Sequence, residues 1–466
     1  GKERKRLTHH DYESLGGVTG AIGRRAESVY EKMSADAKIM LPLIFQKLVS
    51  VDHRGIATRE RSEFEKIGVN DGAIELINAF TQARLFVQSR GEMGAVVEVA
   101  HEAIFSSWKR LSDWIEETRG DLYMLRQLER AAKLCADKGR SRDFLWLGEK
   151  GRELQGVITR LGPNLNEIER EFARPEQAHI IEELFDEDLT HARRCEIGVR
   201  LDIIGDTRPG VGLRSDGLPD ILWISVPKGS VQIGDMTFDI APFFISKYPI
   251  TYVQYQSFLD DEYGYDNDLW WIDFPENYQR IKIRPQLQRF SNHPRDNVSW
   301  FQAHAYTMWL SQKVPKDGYP KPSSKIQESN QWCIRLPTEW EWQQSASSGQ
   351  PDNIYPWGNE WESCCCNTLE SGLNRSVAVG MYPIGETPLG VADMGGNIRE
   401  WCLNEYSSFS TLISKGLRGR TSRGGSYSSI KDFARVNARY CDDPDEQPCD
   451  DGFRVVFAPS FNYRSD

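Results

Sequence analysis

The stretch that most constrains this chain is its last forty or so residues. Arg423-Gly-Gly-Ser426 is a turn whose paired glycines permit positive φ, and Gly452-Phe-Arg-Val-Val-Phe457 reads as a β-branched, aromatic strand. Between these rigid ends lie Tyr427, Ser428, Ser429, Ile430, Phe433, Tyr440, Cys441, Asp442, Asp443, Cys449, Asp450 and Asp451. Aromatic, small polar and acidic residues interleaved on an irregular segment held by rigid elements is the composition of a contact surface. These positions are therefore the predicted ligand-binding residues, and recognition is the predicted function.

At 466 residues the chain exceeds what one hydrophobic core serves, while 39% hydrophobic and 27% charged residues are ordinary globular content. No apolar run approaches the roughly 18 residues of a membrane-spanning helix, and no secretory signal is visible. The chain is expected to be cytoplasmic. Its nine cysteines, three of them adjacent at Cys364-Cys365-Cys366, form no recognisable disulfide or zinc framework.

The first 172 or so residues are patterned mainly as helices: Ala35 to Val49 and Gly72 to Phe80 place apolar residues at helical spacing. Arg84-Leu-Phe-Val-Gln88 and Ala95-Val-Val-Glu-Val-Ala100, around Gly91 and Gly94, read as the hairpin of a winged helix. Tyr123 to Leu128, Leu145 to Gly148 and Phe172 continue as a helical bundle. Leu7-Thr-His-His-Asp-Tyr-Glu-Ser-Leu-Gly-Gly17, Val97-Glu-Val-Ala-His-Glu-Ala-Ile104 with Trp108, Leu111 and Trp114, and Leu145 to Gly151 resemble the region after the nucleotide-binding core of bacterial STAND signalling ATPases. No Gly-x-x-x-x-Gly-Lys-Ser/Thr loop occurs, so the backbone cradle and lysine for ATP phosphates are missing from this sequence. A start at Gly1 rather than Met leads us to expect a fragment whose ATPase part lies upstream; a free-standing helical adaptor is the alternative.

The C-terminal half carries seven blocks in a fixed order: Trp223-Ile-Ser-Val-Pro227 with Gly229 and Gly234, Pro242 to Thr251, Pro294 to Trp300, Arg335-Leu-Pro-Thr-Glu-Trp-Glu-Trp342, Tyr355-Pro-Trp-Gly358, Asp393 to Trp401 and Arg423-Gly-Gly-Ser426. Together they resemble the formylglycine-generating-enzyme (sulfatase-modifying factor) family, whose domain has a C-type-lectin-like fold. With the pattern of the first half, the resemblance leads us to expect an α+β chain with a winged-helix-like domain at 1–115, a helical bundle extension at 116–175, a linker at 176–218 and a lectin-like domain at 219–466. Glu176 to Asp188 is acidic and helical, and Gly205 to Gly212 and Asp216 to Pro219 are turn chemistry, so the linker either packs on the lectin-like domain or acts as a hinge.

Family members that oxidise cysteine carry two copper-binding cysteines after the Arg-Gly-Gly-Ser turn. The matching positions here are Ser429 and Ala434, and neither a hydroxyl nor a methyl group replaces a thiolate on copper(I), so no copper is expected. Cys441 and Cys449 are either a relocated pair or two incidental thiols. A second enzymatic branch uses a histidine triad, but none of the eight histidines makes a His-x-x-x-His pair, and His101-Glu102 is followed by Phe105 where the second should stand. His101 reads instead as a structural residue at a strand-to-helix junction. The chain is most similar to a third branch, the variable proteins of diversity-generating retroelements. Arg435, Arg439, Pro444 and Gly452 to Val456 match that branch's fixed residues, which places a variable region at 423–457. Adenine mutagenesis of AAC codons excludes Lys, Glu, Gln, Met and Trp; the predicted contact residues obey that restriction, whereas Lys431, Glu446 and Gln447 do not.

The resemblance also implies a calcium ion held by Asp393, the carbonyls of Gly396 and Ile398, and Glu400; the alternative is that Glu400 accepts hydrogen bonds at the turn. Net charge is −11, and six carboxylates fall within Asp442 to Asp451. That density repels phosphates, so nucleic acid is not expected as a partner, and a protein or peptide of basic character is. An atypical enzyme of the same fold is the alternative function.

Overall fold

A computed structural model describes residues 17–91, 94–314, 320, 332–408 and 417–460. The chain forms two compact units, Gly1–Glu176 and Gln177–Asp466. Leu7 to Gly16, the bulk of the first signalling block, lies outside the described residues.

In the first unit, the helix expected over Ala35 to Val49 divides into Ala35–Ile39 and Leu41–Leu48. Pro42 is the reason: with no N–H it suits the first turn of a helix and not its interior. Strands Phe86–Gly91 and Gly94–Val99 form the expected hairpin, and Arg61–Glu63 pairs with the second strand, Ser62 opposite Val97, to complete a three-stranded sheet. His101 lies between that sheet and the helix Ile104–Ser107, its Nδ1 accepting the Ala103 N–H at 3.1 Å. The boundary expected at 115/116 does not exist. A single 29-residue helix, Lys109–Asp137, runs through it, placing Leu111, Ile115 and Leu122 in one apolar cluster and Leu125, Leu128 and Ala132 in the next. Its buried face continues at helical spacing without proline, so no element ends there.

In the second unit, an antiparallel sheet is ordered Trp332–Arg335, Val456–Pro459, Phe243–Ser246, Trp223–Val226. A second sheet is ordered Tyr440–Asp442, Arg420–Arg423, Arg399–Glu405, Asp451–Gly452, the last pair parallel. Helices Tyr252–Asp260, Trp300–Lys313 and Glu339–Ser347 each begin at a capping box, on Thr251, Ser299 and Thr338. The box satisfies free N–H groups at the helix start and so fixes where each helix begins. Trp271, Trp300, Trp309 and Trp401 are fully buried between these layers. This is the mixed helix-and-sheet domain expected from the sequence.

Two expectations are corrected here. Gly452 to Phe457 is not one strand: Asp451–Gly452 pairs in one sheet and Val456–Pro459 in the other, with Phe453 to Val455 crossing between them, buried. Arg454 explains the crossing. Its guanidinium is fully buried, bidentate to Glu400 at 2.6 and 2.7 Å, and donates to the carbonyls of Ser246, Lys247 and Ala392. The segment 176–218, read as a linker, belongs from Gln177 onward to the second unit. Helices Glu176–Glu183 and His191–Ile204, with Leu184 just after the first, bury Ile180, Leu184, Ile197 and Leu201 against Val377, Ala378, Met381 and Tyr382. Of the two open readings of that segment, packing is the one realised.

Candidate recognition face

The frame is built first by the glycine turn. Gly424 and Gly425 have φ of +94° and +70°, and a Cβ on Gly425 would stand 2.8 Å from the Phe433 carbonyl oxygen, so a side chain at either position is strained. Arg423, buried, donates to Glu339 at 2.7 Å, to Gln343 at 2.6 Å and to the Val436 carbonyl at 2.6 Å. Arg439 reaches the same Glu339 carboxylate, and donates to the Tyr406 carbonyl at 3.1 Å. One buried acid thus ties both ends of residues 423–439 to the helix Glu339–Ser347. Arg435, expected to share that role, does not: it is exposed and pairs with Asp432 at 2.6 Å on the surface.

From this frame Ser428, Ile430, Phe433, Cys441, Asp443 and Cys449 are exposed, and Ser429, Tyr440 and Asp442 are half-buried. Phe433 and Tyr440 pack ring on ring, centroids 5.1 Å apart. Three predicted contact residues are instead buried: Tyr427, Asp450 and Asp451. The Tyr427 hydroxyl donates to the Cys449 carbonyl at 3.3 Å. Asp450 and Asp451 are drawn inward by Arg399, whose Nε lies 2.5 Å from Asp451 and whose NH2 lies 3.0 Å from Asp450. Asp442 is 3.9 Å from the same guanidinium, which also sits 4.9 Å from the Tyr440 ring. Burial works against the Arg399 charge, but the three aspartates outweigh it and push its pKa up. Burial likewise works against an ionised Asp450, and Arg399 with the Ser428 and Ser426 hydroxyls outweighs it, holding the carboxyl low. Half of the six acids read as an electrostatic lure therefore serve an internal cation; Asp443, Asp445 and Glu446 remain exposed. Sequence reading missed Arg399, although a lone cation between Asn397 and Glu400 was a signal that a nearby acid needed it.

At the two positions that the sequence resemblance sets against a copper pair, the Ser429 hydroxyl lies 3.0 Å from the Ser426 hydroxyl, which donates to Asp450 at 2.7 Å, and Ala434 is a fully buried methyl. This cluster is a hydrogen-bonded prop beneath the face. All nine cysteines are free, and among the described residues no group of three or more His, Cys, Asp or Glu side chains is placed to hold a metal ion.

The implied calcium ligands do not fit as a set. Glu400 Oε2 accepts from both Trp342 Nε1 at 2.8 Å and Arg454 Nε at 2.6 Å, while Oε1 accepts from Arg454 at 2.7 Å, so its charge already has a buried partner. Asp393 would be the sole free anion; its Oδ2 accepts the Gly380 N–H at 2.7 Å, and burial pushes its carboxyl up to about 6. Calcium prefers several hard, charged oxygens. Melting curves in chelator and in millimolar calcium are therefore expected to coincide; an upward shift with metal would reinstate the site.

Residues 219–459 match the family described as the Sulfatase-modifying factor enzyme 1-like domain, a little over half of the chain. The chain belongs to this family. Residues 1–143 match a second family, Novel STAND NTPase 1. Over the sulfatase-modifying-factor-like domain the chain is 28% identical to the formylglycine-generating enzyme of Thermomonospora curvata, covering 41% of this chain and 64% of that protein. It is 25% identical to the hercynine oxygenase of Mycolicibacterium smegmatis, covering 47% and 54%. The chain thus spans between half and two thirds of the length of these relatives. Among solved structures it is similar to Treponema denticola variable protein 1, at 21% identity and a TM-score of 0.38, covering 51% of this chain and 95% of that one. Among the described residues no helix is long and apolar enough to cross a membrane.

Proposed function

We propose that the Gln177–Asp466 unit is a recognition module of the variable-protein kind found with diversity-generating retroelements, presenting a changeable face to a protein or peptide ligand. The reading extends to the whole chain as the sensor portion of a STAND-type signalling ATPase. One observation carries it: Ile430, Phe433, Cys441 and Asp443, all residue types reachable from an AAC codon, are exposed beside a turn whose Gly424, Gly425, Arg423 and Arg439 are fixed from beneath. Rigid support with exposed, structurally undemanding side chains is what allows a surface to change without loss of fold.

The competing reading is an enzyme, since curated relatives of the domain are named as enzymes. Against it stand Ser429 and Ala434, which supply no thiolate. The assay that separates them incubates the chain with copper and a Cys-x-Pro-x-Arg peptide and follows the cysteine mass by mass spectrometry. No conversion is expected; turnover would overturn the recognition reading. The neighbouring DNA offers an independent check, in a reverse transcriptase gene and a near-copy repeat of the 3′ coding end.

A further inference from the structure

Beside the C-terminal segment, the loop from Ser363 to Asn374 reaches the same surface. The Leu369 N–H donates to the Ser429 carbonyl at 2.9 Å, and Glu370 Oε1 accepts the Lys431 N–H at 2.9 Å. The loop is anchored from behind by Asn367, fully buried, whose carbonyl accepts the Asn397 N–H at 2.7 Å and whose side chain bonds the Arg375 carbonyl and the Ser371 hydroxyl. Leu369 is nevertheless 45% exposed, and Ile430 and Phe433 are each 44% exposed. Large apolar side chains held in solvent on braced backbone mark an interaction surface. On this loop and the C-terminal segment Glu370, Asp432, Asp443, Asp445 and Glu446 are exposed against Lys431 and Arg435, so exposed carboxylates outnumber exposed cations on the two segments.

We infer, on the basis of the recognition reading above, that Leu369 and Glu370 form a fixed wall of the face and select a polypeptide partner presenting an apolar side chain beside a lysine or arginine. The apolar side chain packs on Leu369, Ile430 and Phe433. Its basic neighbour meets the exposed carboxylates, with Glu370 held in place by the Lys431 backbone. Because Leu369 lies outside the 423–457 segment, exchange of residues there would alter the ligand while retaining this part of the contact.

A random dodecapeptide phage library panned against the full chain, followed by anisotropy titration of the enriched peptides, tests it. Peptides with an aromatic or aliphatic residue next to Lys or Arg are expected, losing roughly tenfold in affinity with Leu369→Ala and with Phe433→Ala. Glu370→Gln should weaken them several-fold and flatten their salt dependence. Met236→Ala, exposed elsewhere, serves as the control, and all four variants should keep a cooperative melt within a few degrees of the parent. Loss with Phe433→Ala but full binding by Leu369→Ala and Glu370→Gln removes the wall and leaves the recognition face standing. Enriched peptides without basic residues overturn the partner chemistry. Failure to enrich any peptide that Phe433→Ala weakens overturns both this inference and the recognition reading on which it rests.

Discussion

A fragment beginning at Ser215 is expected not to hold a stable fold, while one beginning at Gln177 is expected to melt cooperatively. All of the family blocks lie after Ser215, so sequence blocks alone place the domain start there. The packing places it earlier. Ile180, Leu184, Ile197 and Leu201 are each at most 2% exposed, against Val377, Ala378, Met381 and Tyr382. Burying an aliphatic side chain of this size contributes about 1.5 to 3 kcal/mol, so the four together contribute on the order of 6 to 12 kcal/mol, comparable with the total stability of a domain. Polar ties add to the dependence. Arg194, fully buried, donates to the carbonyls of Leu184, Asp186 and Met381, and Asp202 accepts the Ser291 N–H at 2.6 Å. Removing 177–214 leaves the 377–382 strip uncovered and those groups without their partners. Thermal melts of the two fragments decide it: a sharp, high transition for the shorter one would show that the two helices are an appendage.

What was legible in the sequence follows from the range over which each signal acts. The winged hairpin was readable because alternation and flanking glycines are local, and the Gly424-Gly425 turn because its chemistry lies within a few residues. Strand Arg61–Glu63 was not, since three residues with charged ends carry no period and gain strand geometry only by pairing with Gly94–Val99. Helix His191–Ile204 was passed over for a related reason: its apolar face answers to residues nearly two hundred positions later. On the recognition face, residue type suggested exposure for Tyr427, Asp450 and Asp451 alike. Burial of Asp450 and Asp451 depends on Arg399 and on the strand pairing of Arg399 with Asp451, and Tyr427 is held by the carbonyl of Cys449 just before them, none of which a local pattern encodes. Tertiary partners, not composition, separated the contact residues from their supports.

Stability of this unit should be far more sensitive to Arg454 than to any exposed residue of the face. Arg454→Met removes the guanidinium that neutralises Glu400 and leaves that carboxylate buried with only the Trp342 N–H, an arrangement that costs about 3 to 5 kcal/mol. Trp401→Ala, which empties a fully buried indole site, should cost a similar 3 to 5 kcal/mol. Replacing both partners, as in Arg454→Met with Glu400→Leu, should be milder than Arg454→Met alone, because no charge is then stranded; that non-additivity identifies the ion pair, rather than lost volume, as the cause. Ile430→Ala and Phe433→Ala are exposed truncations expected to change stability by about 1 kcal/mol or less, with Phe433 the higher because its ring packs on Tyr440. Tyr427→Ala should behave like the supports and not like the face, since its ring is buried. Denaturant melts of these variants rank the two groups directly. Equal losses in both would mean that the segment after the glycine turn is core, and a surface that cannot change without unfolding its own domain has no use as a diversified face.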